Sequence, residues 1–177
     1  MCQQPTSANE EFLQSVYWIT PRIALGKYLT PERAAYLRDR GITHILNVGE
    51  SPGVVHKEEL GFAEITDVPI VDLARIPDEV AVHCVATMLA MLRASPESKV
   101  YVHCLAGQNR SPTVVWLFLI ACGLGPTKGK RFITNRVCDA VPGHAALVDH
   151  RLIEKVRDYG RRNGLTIHDA GIIEAAK

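Results

Sequence analysis

Nine consecutive residues, His103-Cys104-Leu105-Ala106-Gly107-Gln108-Asn109-Arg110-Ser111, constrain this chain more than any other feature. A cysteine stands six positions before an arginine, with a glycine between them and a hydroxyl residue directly after. Residues 99–102, Lys-Val-Tyr-Val, lead in, and the apolar run 113–120 leads out. The first predicts a short buried strand and the second a buried helix. Cys104 then ends a strand and Arg110 opens a helix. Pro112 suits the first helical turn, where a missing N–H costs nothing.

A strand–loop–helix of this kind is an anion site. The loop turns backbone N–H groups inward, and the helix N-terminus adds partial positive charge. Gly107 permits backbone angles that a side chain would forbid. The same field favours the thiolate form of a cysteine placed in it. Arg110 is a planar fork that can hold two oxygens of a phosphate, and Ser111 can donate a hydrogen bond to sulfur. Cys104 taken alone reads as a small buried hydrophobe at a strand end. Inside a phosphate cradle, it is a nucleophile aimed at phosphorus.

The run resembles the His-Cys-x-x-Gly-x-x-Arg-Ser/Thr signature of the cysteine-dependent protein tyrosine phosphatases. It is most similar to their dual-specificity branch, in which His-Cys-x-Ala-Gly-x-x-Arg-Ser-Pro-Thr is a common form. His103, Cys104, Ala106, Gly107, Arg110, Ser111, Pro112 and Thr113 carry the match. The likeness extends over roughly 16–159. The stretch ITPRIALGKYLTPERAAYLRDRGITHILNVGES is similar to the opening of a dual-specificity domain, and VPIVDLARIPDE resembles the loop bearing the family's general acid. After Gly123 the match is looser, which touches substrate-recognition surfaces rather than the phosphate loop.

Composition sets the frame. The chain has 177 residues, enough for one domain with a sizeable core. Its net charge of +1 gives no case for nucleic acid or an anionic membrane as partner. No apolar run is long enough to span a bilayer, and the first eleven residues lack the basic-then-apolar order of a secretory signal. Five cysteines, Cys2, Cys84, Cys104, Cys122 and Cys138, are odd in number and scattered, which argues against a disulfide framework. A reduced, cytoplasmic protein is the expectation. The histidines outside the signature, His44, His56, His83, His144, His150 and His168, show no metal spacing. No metal and no cofactor is expected.

Along the chain, residues 1–15 read as a loose leader, 16–162 as the catalytic domain and 163–177 as a tail whose Ile172 and Ile173 dock on the body. Strands are expected at 16–19, 22–25, 43–48, 62–70 and 99–102. Helices are expected from Thr30 to Arg40, at 78–93, after the signature loop, at 127–137 and at 145–159. Thr30-Pro31-Glu32 is a capped start, and Gly41 a stop. Strands alternating with helices predict an α/β fold: a single domain with a mainly parallel central sheet and helices on both faces.

Phosphoryl transfer to Cys104 needs a proton on the leaving oxygen, and later a base to activate water. One carboxyl group can do both. Asp67, Asp72, Asp78 and Glu79 are candidates. Asp78 and Glu79 fall in a first helical turn, where the dipole gives a carboxylate a structural role. Asp67 lies inside an expected strand. Asp72 precedes a loop that can reach over a pocket, and it matches the family's acid position. His103 reads as a general base or, better, as a support that hydrogen-bonds the loop. Leu105, Ala106, Gly107, Gln108, Asn109 and Arg110 form the expected phosphate-binding loop. Relatives acting on inositol phospholipids often carry lysines there. This loop has none, which favours a monophosphate ester on a protein. A phosphorylated protein is therefore the expected partner. The alternatives are a non-protein phosphate (lipid, sugar or RNA 5′ end) or a module that holds phosphoproteins without turnover. A sulfurtransferase with a loop cysteine fits the Cys-to-Arg step poorly. Cys84, just upstream, is a candidate resolving thiol for oxidised Cys104, set against a role as core filler.

Overall fold

The computed structural model describes residues 15–50 and 57–172. Five strands form one sheet: β1 (Val16–Thr20), β2 (Ile23–Gly26), β3 (His44–Asn47), β4 (Glu64–Asp67) and β5 (Val100–His103). Their order is β1-β2-β5-β3-β4. β2, β5, β3 and β4 run parallel, and only β1 is antiparallel, joined to β2 by a tight turn. The sheet is therefore mixed, with a parallel centre. Every residue of β2, β3 and β5 is buried, as strands covered on both faces must be.

Helices supply both covers. α1 (Pro31–Asp39) lies on one face, where Ala34 and Leu37 pack with Ala24, Ile45 and Tyr101. Thr30 caps it, its hydroxyl accepting from the Arg33 amide at 3.1 Å, with Pro31 at the first position. The other face carries α2 (Asp78–Arg93), α3 (Arg110–Ala121), α4 (Pro126–Thr134) and α5 (His150–Arg162). α3 is buried along its whole length, with α2, α4 and α5 packed around it. A helix that is apolar all round needs such company.

Two expected elements are corrected. The strand proposed for 62–70 is only Glu64–Asp67. The helix proposed for 145–159 begins at His150. The apolar stretch 145–148 instead forms a turn, with the Leu147 amide donating to the His144 carbonyl at 2.9 Å. The Leu147 carbonyl in turn accepts from the Ile76 amide at 2.9 Å. Asp149 then takes an extended conformation and caps α5, accepting from the Leu152 amide at 2.8 Å. Leu147 and Val148 are buried by this cross-loop packing, not by a helix face.

Residues 163–172 dock on the body, where Ala170 is buried, Ile172 packs on the core and Asp169 pairs with Arg93 at 2.8 Å. Ile173 and the leader up to residue 14 lie outside the described residues. Cys84, Cys104 and Cys122 are free thiols, but Cys138 is disulfide-bonded. The expectation of a wholly reduced chain fails at that position. Among the described residues, no helix is long and apolar enough to cross a membrane, and no cluster of His, Cys, Asp and Glu could hold a metal ion.

Candidate active site

Parallel strands gather their C-terminal ends at one edge, and loops leaving that edge converge. Here the register aligns Gly26, His103, Asn47 and Asp67 across four strands. Four loops leave beyond them, after β2, β5, β3 and β4. β5 is central, so the loop that follows it, 104–109, has neighbours on both sides.

The Cys104 side chain is buried, and its Sγ accepts from the Gly107 amide at 3.3 Å. Ser111 Oγ lies 3.4 Å from the same sulfur and 3.5 Å from the Gly26 carbonyl. One hydroxyl proton thus has two acceptors in reach, and it can turn to sulfur when sulfur carries charge. Gly107 has φ +76°, and a Cβ there would stand 2.8 Å from the carbonyl carbon of Gly26. Only glycine fits that close passage of two loops. Gly26 is equally confined, since a Cβ there would lie 1.9 Å from the Ser15 carbonyl oxygen. α3 has no acidic residue in its first turn and no side-chain cap. Its positive end is left to an external anion.

Arg110, at the start of α3, is buried. Its Nη1 meets Glu50 Oε2 at 3.2 Å and the Ile70 carbonyl at 3.2 Å. Its Nη2 lies 3.5 Å from Asp72 Oδ2. Its Nε is buried with no hydrogen-bond partner among the described residues. An unpaired guanidinium N–H carries a desolvation cost that an oxyanion beside it would relieve. The donor set therefore fits a phosphate beside Cys104.

Asp72 is more than one-third exposed and follows β4 on the loop that covers Arg110. Asp67 is placed differently. It ends β4, where its Oδ1 accepts from Asn47 Nδ2 at 3.0 Å. Asp78 opens α2 and pairs with Arg75 at 2.7 Å and Arg151 at 3.6 Å. Glu79 follows it in the same first turn. Of the four carboxylates singled out by sequence, Asp72 is the one paired with Arg110.

His103 is buried, stacks on Tyr101 with ring centroids 5.8 Å apart, and sets its Nδ1 3.4 Å from the Cys104 carbonyl. Burial pushes its pKa down to about 4. It is a neutral ring, so it acts on the loop by hydrogen bonding and packing rather than by charge. Cys84 lies in the apolar core on α2, and burial pushes its thiol up to about 12.

Several site residues escaped the sequence reading. Glu50, on the loop after β3, ties down Arg110. Asp139 accepts from Gln108 Nε2 at 3.0 Å, and the Val141 amide donates to the Gln108 carbonyl at 2.8 Å. Arg75 pins the Asp72 loop to α5, reaching Asp149 through Nε at 2.5 Å and Nη2 at 3.1 Å. The available signal was position. Asn47-Val48-Gly49-Glu50 continues a strand past the edge where Cys104 sits, so Glu50 belongs to the site by topology.

A mixed sheet with the cysteine loop at the end of its central strand defines a phosphatase of the cysteine-dependent type. The chain belongs to the family described as PTP-SAK, the Swiss Army Knife protein, DSP-PTPase phosphatase domain, whose profile matches residues 14–156. No curated protein sequence matches it. Among solved structures it is similar to PTPMT1 in complex with PI(5)P (19% identity, 84% of this chain and 99% of that one, TM-score 0.71). It is also similar to Tk-PTP in its active form (20% identity, 84% and 97%, TM-score 0.65). A third is the human tyrosine phosphatase-like serine/threonine/tyrosine-interacting protein (18% identity, 84% and 97%, TM-score 0.65). At these identities the likeness is one of fold.

Proposed function

We propose that this phosphatase hydrolyses phosphomonoesters on polypeptides, phosphotyrosine foremost and phosphoserine or phosphothreonine in addition, through a phosphocysteine. Cys104 Sγ attacks phosphorus, forming an S–P bond as the P–O bond to the leaving group breaks. Asp72 gives its proton to the departing oxygen. Asp72, now a carboxylate, takes a proton from water as that water attacks the phosphocysteine. Phosphate leaves, and the thiolate is restored. Arg110 and the amides of residues 105–110 hold the equatorial oxygens, whose charge is redistributed in the transition state. Ser111 stabilises the sulfur as the second step returns charge to it. His103 braces the loop.

The observation that carries this reading is the buried Nε of Arg110 at the end of the Cys104 loop, without a hydrogen-bond partner among the described residues, with Asp72 held at Nη2 of the same guanidinium. A protein substrate is supported by the uncharged side chains of Leu105, Ala106, Gln108 and Asn109 together with the acids Glu50 and Asp72. Several phosphates on one inositol ring would meet that set with too few cations. The likeness to a structure holding PI(5)P supplies the contrary arm of the test. A panel of phosphopeptides is set beside inositol phosphates, and turnover is followed by phosphate release. The expected result is hydrolysis of phosphotyrosyl peptides above every inositol phosphate. Cys104→Ser should abolish turnover yet retain phosphopeptide binding. Turnover by that variant, or a preference for inositol phosphates, overturns the reading.

A further inference from the structure

Five large apolar side chains stand exposed among the described residues: Tyr28, Val71, Leu73, Leu105 and Val141. Single exposed hydrophobes need no explanation. These five come from four separate stretches of the sequence, yet each lies on a loop that meets the phosphate loop or Asp72. Tyr28 follows β2, and its amide donates to the Leu105 carbonyl at 3.3 Å. Leu105 is the neighbour of Cys104. Val71 and Leu73 flank Asp72, and the carbonyl of Ile70 just before them is held by Arg110. Val141 donates its amide to the Gln108 carbonyl. Val71, Leu73 and Leu105 are each 60% exposed or more.

Leu73 adds a second observation. It is the one non-glycine residue with positive φ among those described, at 55°. A leucine pays for that conformation where asparagine or glycine would not. Its amide is held by Asp72 Oδ1 at 3.0 Å. The strained turn thus presents an apolar side chain to solvent directly beside the candidate acid.

Charge narrows the occupant. The same rim carries Glu50, Asp72 and Asp139. Arg110 is buried, and Arg75 is engaged by Asp149 and Asp78. An anionic bilayer is drawn by clusters of unpaired lysine and arginine near its surface; these loops set Lys27, exposed beside Tyr28, against the carboxylates of Glu50, Asp72 and Asp139, which is no such cluster. We infer that the rim reads the residues on either side of the phosphorylated one, favouring polypeptides with apolar residues close to the phosphate and disfavouring acidic ones. This rests on the protein-substrate reading above, and deepens it.

The test is kcat/KM on phosphotyrosyl peptides of one length whose flanking residues are leucine, serine, lysine or glutamate. Phosphatidylcholine vesicles doped with phosphatidic acid serve as the membrane arm, and p-nitrophenyl phosphate as the basal control. Leucine flanks should exceed serine flanks on the order of tenfold, the scale on which apolar contacts discriminate, with glutamate flanks lowest. Leu73→Asn, which keeps the left-handed turn, combined with Val141→Ser should bring leucine and serine flanks together when each rate is taken relative to p-nitrophenyl phosphate hydrolysis by the same variant. Equal rates for leucine and serine flanks in the parent enzyme overturn the inference. So does an unaltered preference in the double variant. Faster turnover of vesicle lipid than of any peptide assigns the rim to a membrane and overturns it. Hydrolysis of p-nitrophenyl phosphate with no turnover of any peptide instead marks failure of the protein-substrate reading itself.

Discussion

Asp72 Oδ2 and Arg110 Nη2 stand 3.5 Å apart across the mouth of the site. One residue comes from the loop after β4 and the other from the first turn of α3. Their contact brings the candidate acid to the group that would hold the phosphate.

That placement predicts a dependence on the leaving group. Asp72→Asn should lower kcat about 10²- to 10⁴-fold for alkyl or unactivated aryl phosphates, the range for a lost general acid. With p-nitrophenyl phosphate, whose leaving group needs no proton, the loss should be much smaller. Asp67→Asn should leave this pattern untouched, because Asp67 is bonded to Asn47 at the sheet edge. A plot of log kcat against leaving-group pKa checks both variants. A steep slope in Asp67→Asn with a flat one in Asp72→Asn would reverse the assignment.

Arg75 holds the Asp72 loop from outside. Its guanidinium joins Asp149, the cap of α5, to Asp78 at the start of α2. These pairs are exposed, so their contribution to global stability should be small. Their positional effect should be larger, because a displaced acid loses its alignment with the leaving oxygen. Arg75→Gln should reduce kcat on the order of tenfold for poor leaving groups. It should leave p-nitrophenyl phosphate turnover and Tm nearly unchanged. Equal losses on both substrates would assign Arg75 to binding or folding instead.

The site was legible in sequence to the extent that it is contiguous. Cys104 to Ser111 is one turn between a strand and a helix, so spacing alone conveys its geometry. Asp72 was reachable because it lies a few residues past a strand and before a helix start. Glu50 and Arg75 were not, because their roles depend on which loops share an edge, and that follows from strand order rather than local pattern. The stretch 145–148 misled for a related reason. Leu147 and Val148 are buried where the Leu147 carbonyl meets the Ile76 amide, and burial by a partner loop leaves the same local trace as burial by a helix face. β4 was overextended because Val68 and Ile70 are buried after the ladder has ended.

His103 makes stability depend on pH with a defined sign. Its pKa is pushed down to about 4 by burial, against an ordinary 6.5. Between these values, the unfolded chain binds a proton that the folded one does not. The folded state therefore loses stability as pH falls through that window, by about 3 kcal/mol at most for one such group. Asp149 acts in a lower window, since its hydrogen bond from Arg75 pulls it from 3.8 to about 2. Its contribution is present above its unfolded value and is lost as pH falls toward 2. Urea unfolding at steps from pH 7 to pH 4 should show the His103 slope. His103→Gln should flatten it by about one proton, whatever its effect on absolute stability. An unchanged slope in that variant would remove His103 as its source.

The helix that carries Arg110 is confined at its far end. α5 crosses the C-terminal end of α3 at Gly160, where an added Cβ would lie 1.9 Å from the Ala121 carbonyl oxygen and 2.6 Å from its carbon. By propensity alone, alanine in place of a helical glycine should stabilise by about 1 kcal/mol. The obstruction here is backbone, which no rotamer change can clear, so the helices must move apart. Overpacking of this kind costs about 1–3 kcal/mol or more, and it spreads to the apolar contacts of a helix that is buried throughout. Gly160→Ala should therefore lower stability by about 2 kcal/mol net, or about 4–8 °C in Tm for a domain of this size. Calorimetry on the variant beside its parent checks the sign. A Gly160→Ala variant as stable as the parent would mean that the two helices do not meet at backbone contact.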